Sequence, residues 1–210
     1  MIKILIADDQ PIFRSGVKQL FLDSFEQVIV DEATDGEETL SKIGHTDYNV
    51  VILDIAMQAK NGLDIIQEIK RLTLSLPILV LSSYPENRYA VRAFRLGASG
   101  YLMKICNANE LIKAVKTILS GKKYITASLA EILLCMIDKD TTKAPHERLS
   151  NREFQVMYMI VSGYSLKKIA EELKLSAKTV TTHRSRILDK MELSNNTELV
   201  IYAVKHGLVY

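Results

Sequence analysis

The chain has 210 residues, of which 48% are hydrophobic and 25% are charged, and its formal net charge is +2. This length predicts two modest domains, and no apolar run reaches the roughly 18 residues that a membrane-spanning helix needs. The two cysteines, Cys106 and Cys135, are too few for a disulfide framework and lack metal-ligand spacing. We therefore expect a cytoplasmic globular protein with free thiols and no secretion signal.

The charge is divided unevenly along the chain. Residues 1–140 contain 16 basic and 18 acidic residues, a net charge of −2, whereas residues 141–210 contain 11 and 7, a net charge of +4. A basic C-terminal part is expected to meet a polyanion such as nucleic acid.

The first half of the sequence alternates between two apolar patterns. Short runs rich in β-branched residues predict five buried strands, at 2–7, 27–33, 49–55, 76–83 and 99–104. Between and after them, apolar residues recur at a spacing near 3.6, which predicts five helices. Four of the helix starts are marked, by Pro11, by Asp35 or Gly36, by Pro85 and by Asn107. The alternation predicts the α/β fold class, with a doubly wound, five-stranded parallel sheet of the flavodoxin-like kind.

The pattern changes after Gly121. Residues 122–147 are predicted to form a linker with at most one helix, at 127–137. Residues 148–210 show helical spacing throughout and predict a small all-α domain of four short helices. The predicted helix starts are at Ser150, Ser165, Ser176 and Thr197.

Reactive side chains end four of the predicted strands. The first strand ends in Asp8 and Asp9, the third in Asp54, the fourth in Ser82 and the fifth in Lys104. Because the carboxyl ends of parallel strands meet at one edge of a sheet, we expect these side chains to converge. A single aspartate at a strand end could equally cap a helix, so the prediction rests on the whole set.

Three neighbouring carboxylates repel one another, and a divalent cation relieves that repulsion. The oxygen ligands favour Mg²⁺, and the absence of nearby Cys and His disfavours zinc. With the charge neutralised, one aspartate can act as a nucleophile toward phosphorus. Lys104 and the Ser82 hydroxyl would then hold the oxygens of the transferred group.

Residues 165–191 predict two helices joined by a tight turn, which is typical of a helix-turn-helix. On the second helix a polar stripe lies opposite the apolar side, so it is placed to read the major groove of DNA. The stripe consists of Lys178, Thr181, Thr182 and Ser185. Flanking cations are expected to contact phosphates, and they are Lys167, Lys168, Arg184, Arg186 and Lys190. The alternative is that these cations form only a solvated surface.

Residues 1–121 resemble a response-regulator receiver domain. The motifs that carry the resemblance are the acidic pair Asp8 and Asp9, "LDIAM" with Asp54, "NG" at 61–62, Ser82, and "GYLMK" with Tyr101 and Lys104. The resemblance implies that Asp54 accepts a phosphoryl group from a sensor histidine kinase. It also implies that Asp9, Asp54 and the Ala56 carbonyl bind Mg²⁺, with Asp8 helping through water. Ser82 would move toward the phosphoryl group and Tyr101 would turn inward behind it.

Two positions depart from the receiver pattern. The family usually has proline where Gln58 and Ile105 stand here. Neither position supplies a catalytic group, but both bear on the loop geometry and on the lifetime of the phosphoryl group.

Residues 148–210 resemble the LuxR-type helix-turn-helix domain, through "LSNRE", "GYSLKKIAEEL", "LSAKTVTTHRSRILDKM" and "NTELVIYAVKHGL". The two resemblances together identify the chain as a member of the NarL/FixJ-type two-component response regulators. They imply a transcription factor, active as a homodimer on double-stranded DNA, that is not a turnover enzyme. Two alternatives stay open: a phosphatase, and a constitutive DNA-binding protein whose degenerate receiver is only a dimerisation scaffold.

Overall fold

The structure is a computed structural model, and it describes residues 1–57, 62–137 and 144–209. Gln58 and Asn61 lie outside these residues, as do residues 138–143 of the predicted linker, and the side chain of Cys135 is not described either. The chain divides into two compact units, Met1–Asp138 and Lys139–Tyr210. None of the described helices is both long and apolar enough to span a membrane.

The first unit contains a five-stranded sheet in the order β2-β1-β3-β4-β5, and every neighbouring pair is parallel. Its strands are β1 (Ile2–Ala7), β2 (Val28–Ala33), β3 (Val50–Leu53), β4 (Ile78–Ser82) and β5 (Gly100–Met103). Its helices are α1 (Pro11–Ser24), α2 (Gly36–His45), α3 (Gly62–Leu72), α4 (Glu86–Arg95), α5 (Ala108–Leu119) and α6 (Ala127–Ile137). The predicted fold class is confirmed.

Central strands of this sheet are buried on both faces, which explains their continuous apolar sequences. All four residues of β3 are buried, and so are all five of β4. The strands are one to three residues shorter than predicted wherever they differ. In particular β3 ends at Leu53, so Asp54 begins the following loop rather than lying within the sheet.

The helix starts follow local capping chemistry. Asp35 accepts a hydrogen bond from the Glu38 amide at the start of α2, and Asn107 accepts one from the Glu110 amide at the start of α5. A side-chain acceptor at this position satisfies an amide that has no partner within the helix. These starts agree with the prediction.

The second unit is helical where it is described. A 3₁₀ turn at Pro145–Arg148 is followed by α7 (Asn151–Val161), α8 (Leu166–Glu172), α9 (Ala177–Met191) and α10 (Asn196–Lys205). Ser150, Ser165 and Ser176 cap the first three helices as predicted. The predicted start at Thr197 is wrong, because Asn195 accepts a hydrogen bond from the Glu198 amide and α10 begins at Asn196.

Candidate functional site

Backbone hydrogen bonds that continue beyond the strands position the acidic residues. The Asp8 amide donates to the Ala33 carbonyl at 3.1 Å, and the Asp54 amide donates to the Ala7 carbonyl at 2.9 Å. The Lys104 amide donates to the Ser82 carbonyl at 2.8 Å. The predicted convergence therefore occurs at the carboxyl edge of the sheet, where these hydrogen bonds fix the backbone of Asp8, Asp54 and Lys104.

Lys104 lies between two buried carboxylates. Its Nζ is 2.7 Å from Asp8 Oδ2 and 2.7 Å from Asp54 Oδ2. The other oxygen of each aspartate accepts a backbone hydrogen bond at 2.8 Å, Asp8 Oδ1 from the Gln10 amide and Asp54 Oδ1 from the Ala56 amide. The Lys104 ammonium group thus pairs with both carboxylates, and one backbone amide binds the other oxygen of each.

Burial is the strongest influence on these charges. It raises the pKa of Asp54, and the opposing effects of Lys104 and the Ala56 amide only partly offset it. Burial by itself would lower the pKa of Lys104, but Asp54 and Asp8 together raise it. Lys104 is therefore firmly protonated, whereas Asp54 is a carboxylate with unusually high basicity.

The three carboxylates form the one possible metal-binding cluster among the described residues. Oxygen atoms of Asp8, Asp9 and Asp54 all lie within 4.8 Å of one another. Ligands of a single Mg²⁺ at 2.0–2.1 Å stand up to about 4.2 Å apart across an octahedron. The donor set is of the kind that Mg²⁺ prefers, and direct ligation by all three carboxylates would require them to move closer together. Asp9 is the most exposed of the three, so a cation held there would have an open side toward solvent.

Gly62 explains the glycine of the "NG" motif. A Cβ at this position would lie 2.3 Å from Ile55 Cα and 2.8 Å from the Asp54 carbonyl oxygen. Both of these atoms belong to the backbone, which cannot move aside without displacing Asp54. Only glycine lets the start of α3 pass this close to the loop that carries Asp54.

Ser82 and Tyr101 meet at one loop. Ser82 Oγ accepts a hydrogen bond from the Tyr84 amide at 3.2 Å, and Tyr101 Oη donates to the Tyr84 carbonyl at 2.8 Å. Both side chains have 0% exposure. Tyr101 therefore already occupies the inward position that the sequence analysis assigned to it after phosphorylation.

Two residues that contact this site, Phe13 and Arg14, were not among those predicted from the sequence. Lys104 Nζ lies 4.6 Å from the centre of the Phe13 ring, and Arg14 donates to the Asp8 carbonyl at 2.7 Å. Both residues lie in the first turn of α1, where only a helical apolar pattern was visible. Ile105, which stands at one departure from the receiver pattern, is 84% exposed.

The polar stripe of α9 faces solvent as expected. Its four residues, Lys178, Thr181, Thr182 and Ser185, are all exposed. The hydroxyls of Thr181 and Thr182 donate to the backbone carbonyls four residues earlier, at 2.9 and 3.0 Å. Because the hydroxyl hydrogens are used, these side chains offer acceptor lone pairs and methyl groups to an incoming base.

The flanking cations fall into two groups. Lys167, Lys168 and Arg186 are exposed. Arg184 Nε instead donates to Asn196 Oδ1 at 2.7 Å, which fixes its guanidinium against α10. Lys190 Nζ lies 2.6 Å from Glu153 Oε2, a carboxylate that is only 4% exposed. Arg184 keeps further N–H donors for a phosphate, whereas Lys190 has a structural partner.

His183 lies between the apolar side of α9 and its solvent-facing side. It is half-buried, and no hydrogen-bond partner for its Nδ1 lies among the described residues. Burial lowers the pKa of His183, and Arg152 adds to that effect. The imidazole is therefore neutral at neutral pH.

The last helix exposes apolar side chains. Leu199 and Ala203 are buried in the core of the second unit, whereas Val200, Ile201 and Val204 are 36%, 62% and 55% exposed. The apolar side chains of α10 thus divide into a core side and a solvent side.

Comparisons with known proteins agree with both halves of the chain. The family model for the response regulator receiver domain matches residues 4–116, and the model for bacterial regulatory proteins of the luxR family matches residues 147–203. The response regulator UvrY of Escherichia coli is 33% identical over 209 residues, which are 99% of this chain and 96% of UvrY. The response regulator GacA of Pseudomonas protegens is 32% identical over 209 residues, covering 100% of this chain and 98% of GacA.

Solved structures show the same similarity. RcsB from Salmonella enterica serovar Typhimurium, bound to the promoter rprA in the presence of the phosphomimetic BeF₃⁻, is similar with a TM-score of 0.63 and 25% identity. The match covers 96% of this chain and 98% of that chain.

Proposed function

Because the chain belongs to the response regulators that join a receiver domain to a LuxR-type DNA-binding domain, we propose that phosphorylation of Asp54 by a sensor histidine kinase controls its dimerisation and its sequence-specific DNA binding. The observation that carries this proposal is the setting of Asp54. Its buried carboxylate lies 2.7 Å from Lys104 Nζ and is oriented by the Ala56 amide. It is therefore both basic and held in one orientation, as a nucleophile requires.

The proposed reaction transfers a phosphoryl group from a phosphohistidine. An oxygen of Asp54 attacks phosphorus, the new O–P bond forms, and the P–N bond breaks with its electron pair remaining on the imidazole nitrogen. Lys104 and the Ser82 hydroxyl bind the oxygens of the transferred group. Asp54 itself keeps the group, so the chain acts as an acceptor rather than as a turnover enzyme.

The proposed cofactor is Mg²⁺, held by Asp9, Asp54 and the carbonyl of Ala56, with Asp8 acting through water. Once bound, the cation neutralises charge on the carboxylates and on the phosphoryl oxygens. The support for this assignment is the all-oxygen donor set within 4.8 Å. Tyr101 is proposed to stay inward behind Ser82, where its hydroxyl holds the Tyr84 carbonyl.

We propose a receiver domain at 1–121, a linker at 122–147 that includes α6, and a DNA-binding domain at 148–210. The family matches at 4–116 and 147–203 support these boundaries, and the division between the two compact units, after Asp138, falls within the proposed linker. The proposed place of action is the cytoplasm, where such a protein meets DNA.

DNA recognition is assigned to α9 in the major groove, with its polar stripe on the bases. Lys167, Lys168, Arg184, Arg186 and Lys190 remain the proposed phosphate contacts. A homodimer would pair two such helices about one DNA turn apart. The exposed Val200, Ile201 and Val204 of α10 provide an apolar surface for that pairing.

Intact mass spectrometry tests the phosphorylation proposal. Incubation with acetyl phosphate and Mg²⁺ should add the mass of one phosphoryl group, Asp54→Ala should abolish the addition, and chelation of Mg²⁺ should suppress it. Asp47→Ala is the matched control, because Asp47 is an exposed aspartate outside the pocket. No addition to the unmodified chain, or an addition that persists in Asp54→Ala, would contradict the proposal.

A further inference from the structure

The segment after α5 folds back onto the first unit. The Tyr124 amide donates to the Ser99 carbonyl at 2.9 Å, beside the start of β5. Helix α6 follows and packs against α4, and Leu129 in its first turn has 0% exposure. The beginning of the linker is therefore docked on the receiver rather than extended into solvent.

Glu86 holds the start of α6 in place. Its Oε2 accepts hydrogen bonds from Thr126 Oγ1 at 2.7 Å and from Ser128 Oγ at 2.6 Å. Thr126 Oγ1 also accepts a bond from the Leu129 amide at 3.2 Å, which caps the helix. Hydrogen bonds to a carboxylate are stronger than those between neutral groups. One carboxylate thus fixes both the position and the capping of α6, and we call this group of contacts the Glu86 latch.

The loop at residues 84–86 contacts both the phosphorylation pocket and the start of α6. Tyr84 is bound on the pocket side, because its amide donates to Ser82 Oγ and its carbonyl accepts from Tyr101 Oη. Glu86 is bound on the linker side and lies two residues further along the chain. Pro85 joins them with φ −62°, and its ring restricts this angle. A displacement at Tyr84 is therefore expected to reach Glu86, because only Pro85 separates them and its φ cannot change.

We propose that Glu86 is a positioning residue through which phosphorylation of Asp54 strengthens the docking of α6 on α4. The inference rests on the proposed function, because it requires a phosphoryl group on Asp54. Its direction follows from the arrangement observed: Tyr101 is inward and α6 is docked at the same time. A phosphoryl group that binds Ser82 and favours the inward Tyr101 stabilises this loop position, and the same position brings Glu86 to Thr126 and Ser128.

The consequence is a route from the pocket to the linker that passes through one side chain. Two sites that stabilise the same conformation increase each other's affinity by the same factor. Removing the latch should therefore weaken the binding of a phosphoryl mimic, although Glu86 does not touch the mimic's binding pocket in this structure.

Equilibrium titration of the full chain with BeF₃⁻ and Mg²⁺ measures how strongly the latch affects the binding of BeF₃⁻. Bound fluoride is followed by ¹⁹F NMR. Glu86→Ala should bind BeF₃⁻ about fivefold or more weakly than the unmodified chain. The double variant Thr126→Val with Ser128→Ala removes the latch from the other side, and it should reproduce the loss. The control is Glu131→Gln, at an exposed carboxylate on α6 itself. The affinity of this variant for BeF₃⁻ should equal that of the unmodified chain.

Hydrogen exchange by mass spectrometry measures the reverse effect, that of BeF₃⁻ binding on α6. Amides in residues 126–134 of the unmodified chain should become more protected when BeF₃⁻ binds, and those of Glu86→Ala should not respond. Unchanged BeF₃⁻ affinity in both latch variants, or unchanged exchange in α6 despite bound BeF₃⁻, would overturn the inference.

These outcomes are distinct from a failure of the proposed function. If neither acetyl phosphate nor BeF₃⁻ modifies the unmodified chain at Asp54, the proposed function fails and the latch inference falls with it. If both act at Asp54 while α6 stays unaffected, only the latch inference fails.

Discussion

In the pocket of the receiver, Asp8 and Asp54 are buried and share Lys104 at 2.7 Å, whereas on α9 the cations Lys178 and Arg186 are exposed to solvent. Buried charges lose their hydration, so each needs a partner in the folded chain. Exposed charges keep their hydration and are screened by salt. The difference indicates where substitutions act: changes in the pocket should alter folding as well as chemistry, and changes at Lys178 and Arg186 should alter DNA binding alone.

The largest effect is expected for Lys104→Met. This change leaves two buried carboxylates without their shared cation, so the free energy of unfolding should fall by about 3–5 kcal/mol in Mg²⁺-free buffer. Urea denaturation measures this loss, and Mg²⁺ should restore part of it. Lys122→Met, at an exposed lysine, should change little. An equally small effect for both variants would mean that the buried charges do not depend on Lys104.

Gly62→Ala should come next. The new Cβ must displace backbone atoms of Ile55 and Asp54, at a cost of about 3 kcal/mol, and should also slow phosphorylation by moving Asp54. Thermal unfolding and the rate of mass gain with acetyl phosphate report the two effects. Gly44→Ala is the control, because a Cβ there meets no atom within 4 Å. Normal stability of Gly62→Ala would contradict the close approach described.

Lys190→Met removes a cation of α9 that, unlike Lys178 and Arg186, pairs with a buried carboxylate. Although Lys190 lies on the DNA-binding helix, its partner Glu153 is buried, so the free energy of unfolding of the second unit should fall by about 2 kcal/mol at neutral pH. Urea denaturation of the full chain, followed in the second unit, measures this loss. Lys205→Met, at an exposed lysine on α10, serves as its control.

The same pair predicts a pH dependence. Burial alone would raise the pKa of Glu153, but the contacts with Lys190 and Ser150 more than offset this and lower it below 4.5. A lowered pKa in the folded state means that the stabilisation is present above pH 4.5 and is lost as the pH falls through the folded value. The difference in free energy of unfolding between Lys190→Met and the unmodified chain should therefore become smaller as the pH falls. A difference that stays constant from pH 7 to strongly acidic pH would contradict the ion pair.

The smallest effect on folding is expected for Arg186→Ala. Its stability should be unchanged, because the side chain is exposed. Because Arg186 is a proposed phosphate contact, the slope of log affinity for duplex DNA against log salt should decrease by about 1. Titrations at several salt concentrations measure the slope, with Lys122→Ala as a control in the other unit. A slope identical to that of the unmodified chain would exclude a phosphate contact for Arg186.

Sequence periodicity was sufficient to predict the sheet, because buried parallel strands must be continuously apolar and their carboxyl ends must meet. The convergence of Asp8, Asp54 and Lys104 followed from that rule alone. Helix starts were predictable where the capping residue was unambiguous. The start of α10 was missed, because Asn195 and Thr197 both carry a capping side chain. The local signal that favours Asn195 is Glu198, three residues further along, with which Asn195 exchanges hydrogen bonds.

Features that depend on contacts between distant residues were beyond the reach of local patterns. Lys190 was predicted as a phosphate contact, and nothing near it in the sequence points to Glu153, 37 positions away. The bond between Thr126 and Glu86 spans 40 positions, so residues 122–147 were expected to be a linker with at most one helix, and its docking on the first unit was not predicted. The inward orientation of Tyr101 depends on the conformation of the Tyr84 loop, which the sequence does not determine locally.

Selection of duplexes from a random DNA pool tests the central claim most directly, with the full chain used before and after treatment with acetyl phosphate and Mg²⁺. The account predicts that the treated chain enriches inverted repeats whose half-sites lie about one DNA turn apart. The untreated chain and treated Asp54→Ala should enrich them far less. Equal enrichment of the same sequences by all three, with phosphorylation of the unmodified chain verified by mass, would contradict control of DNA binding by Asp54.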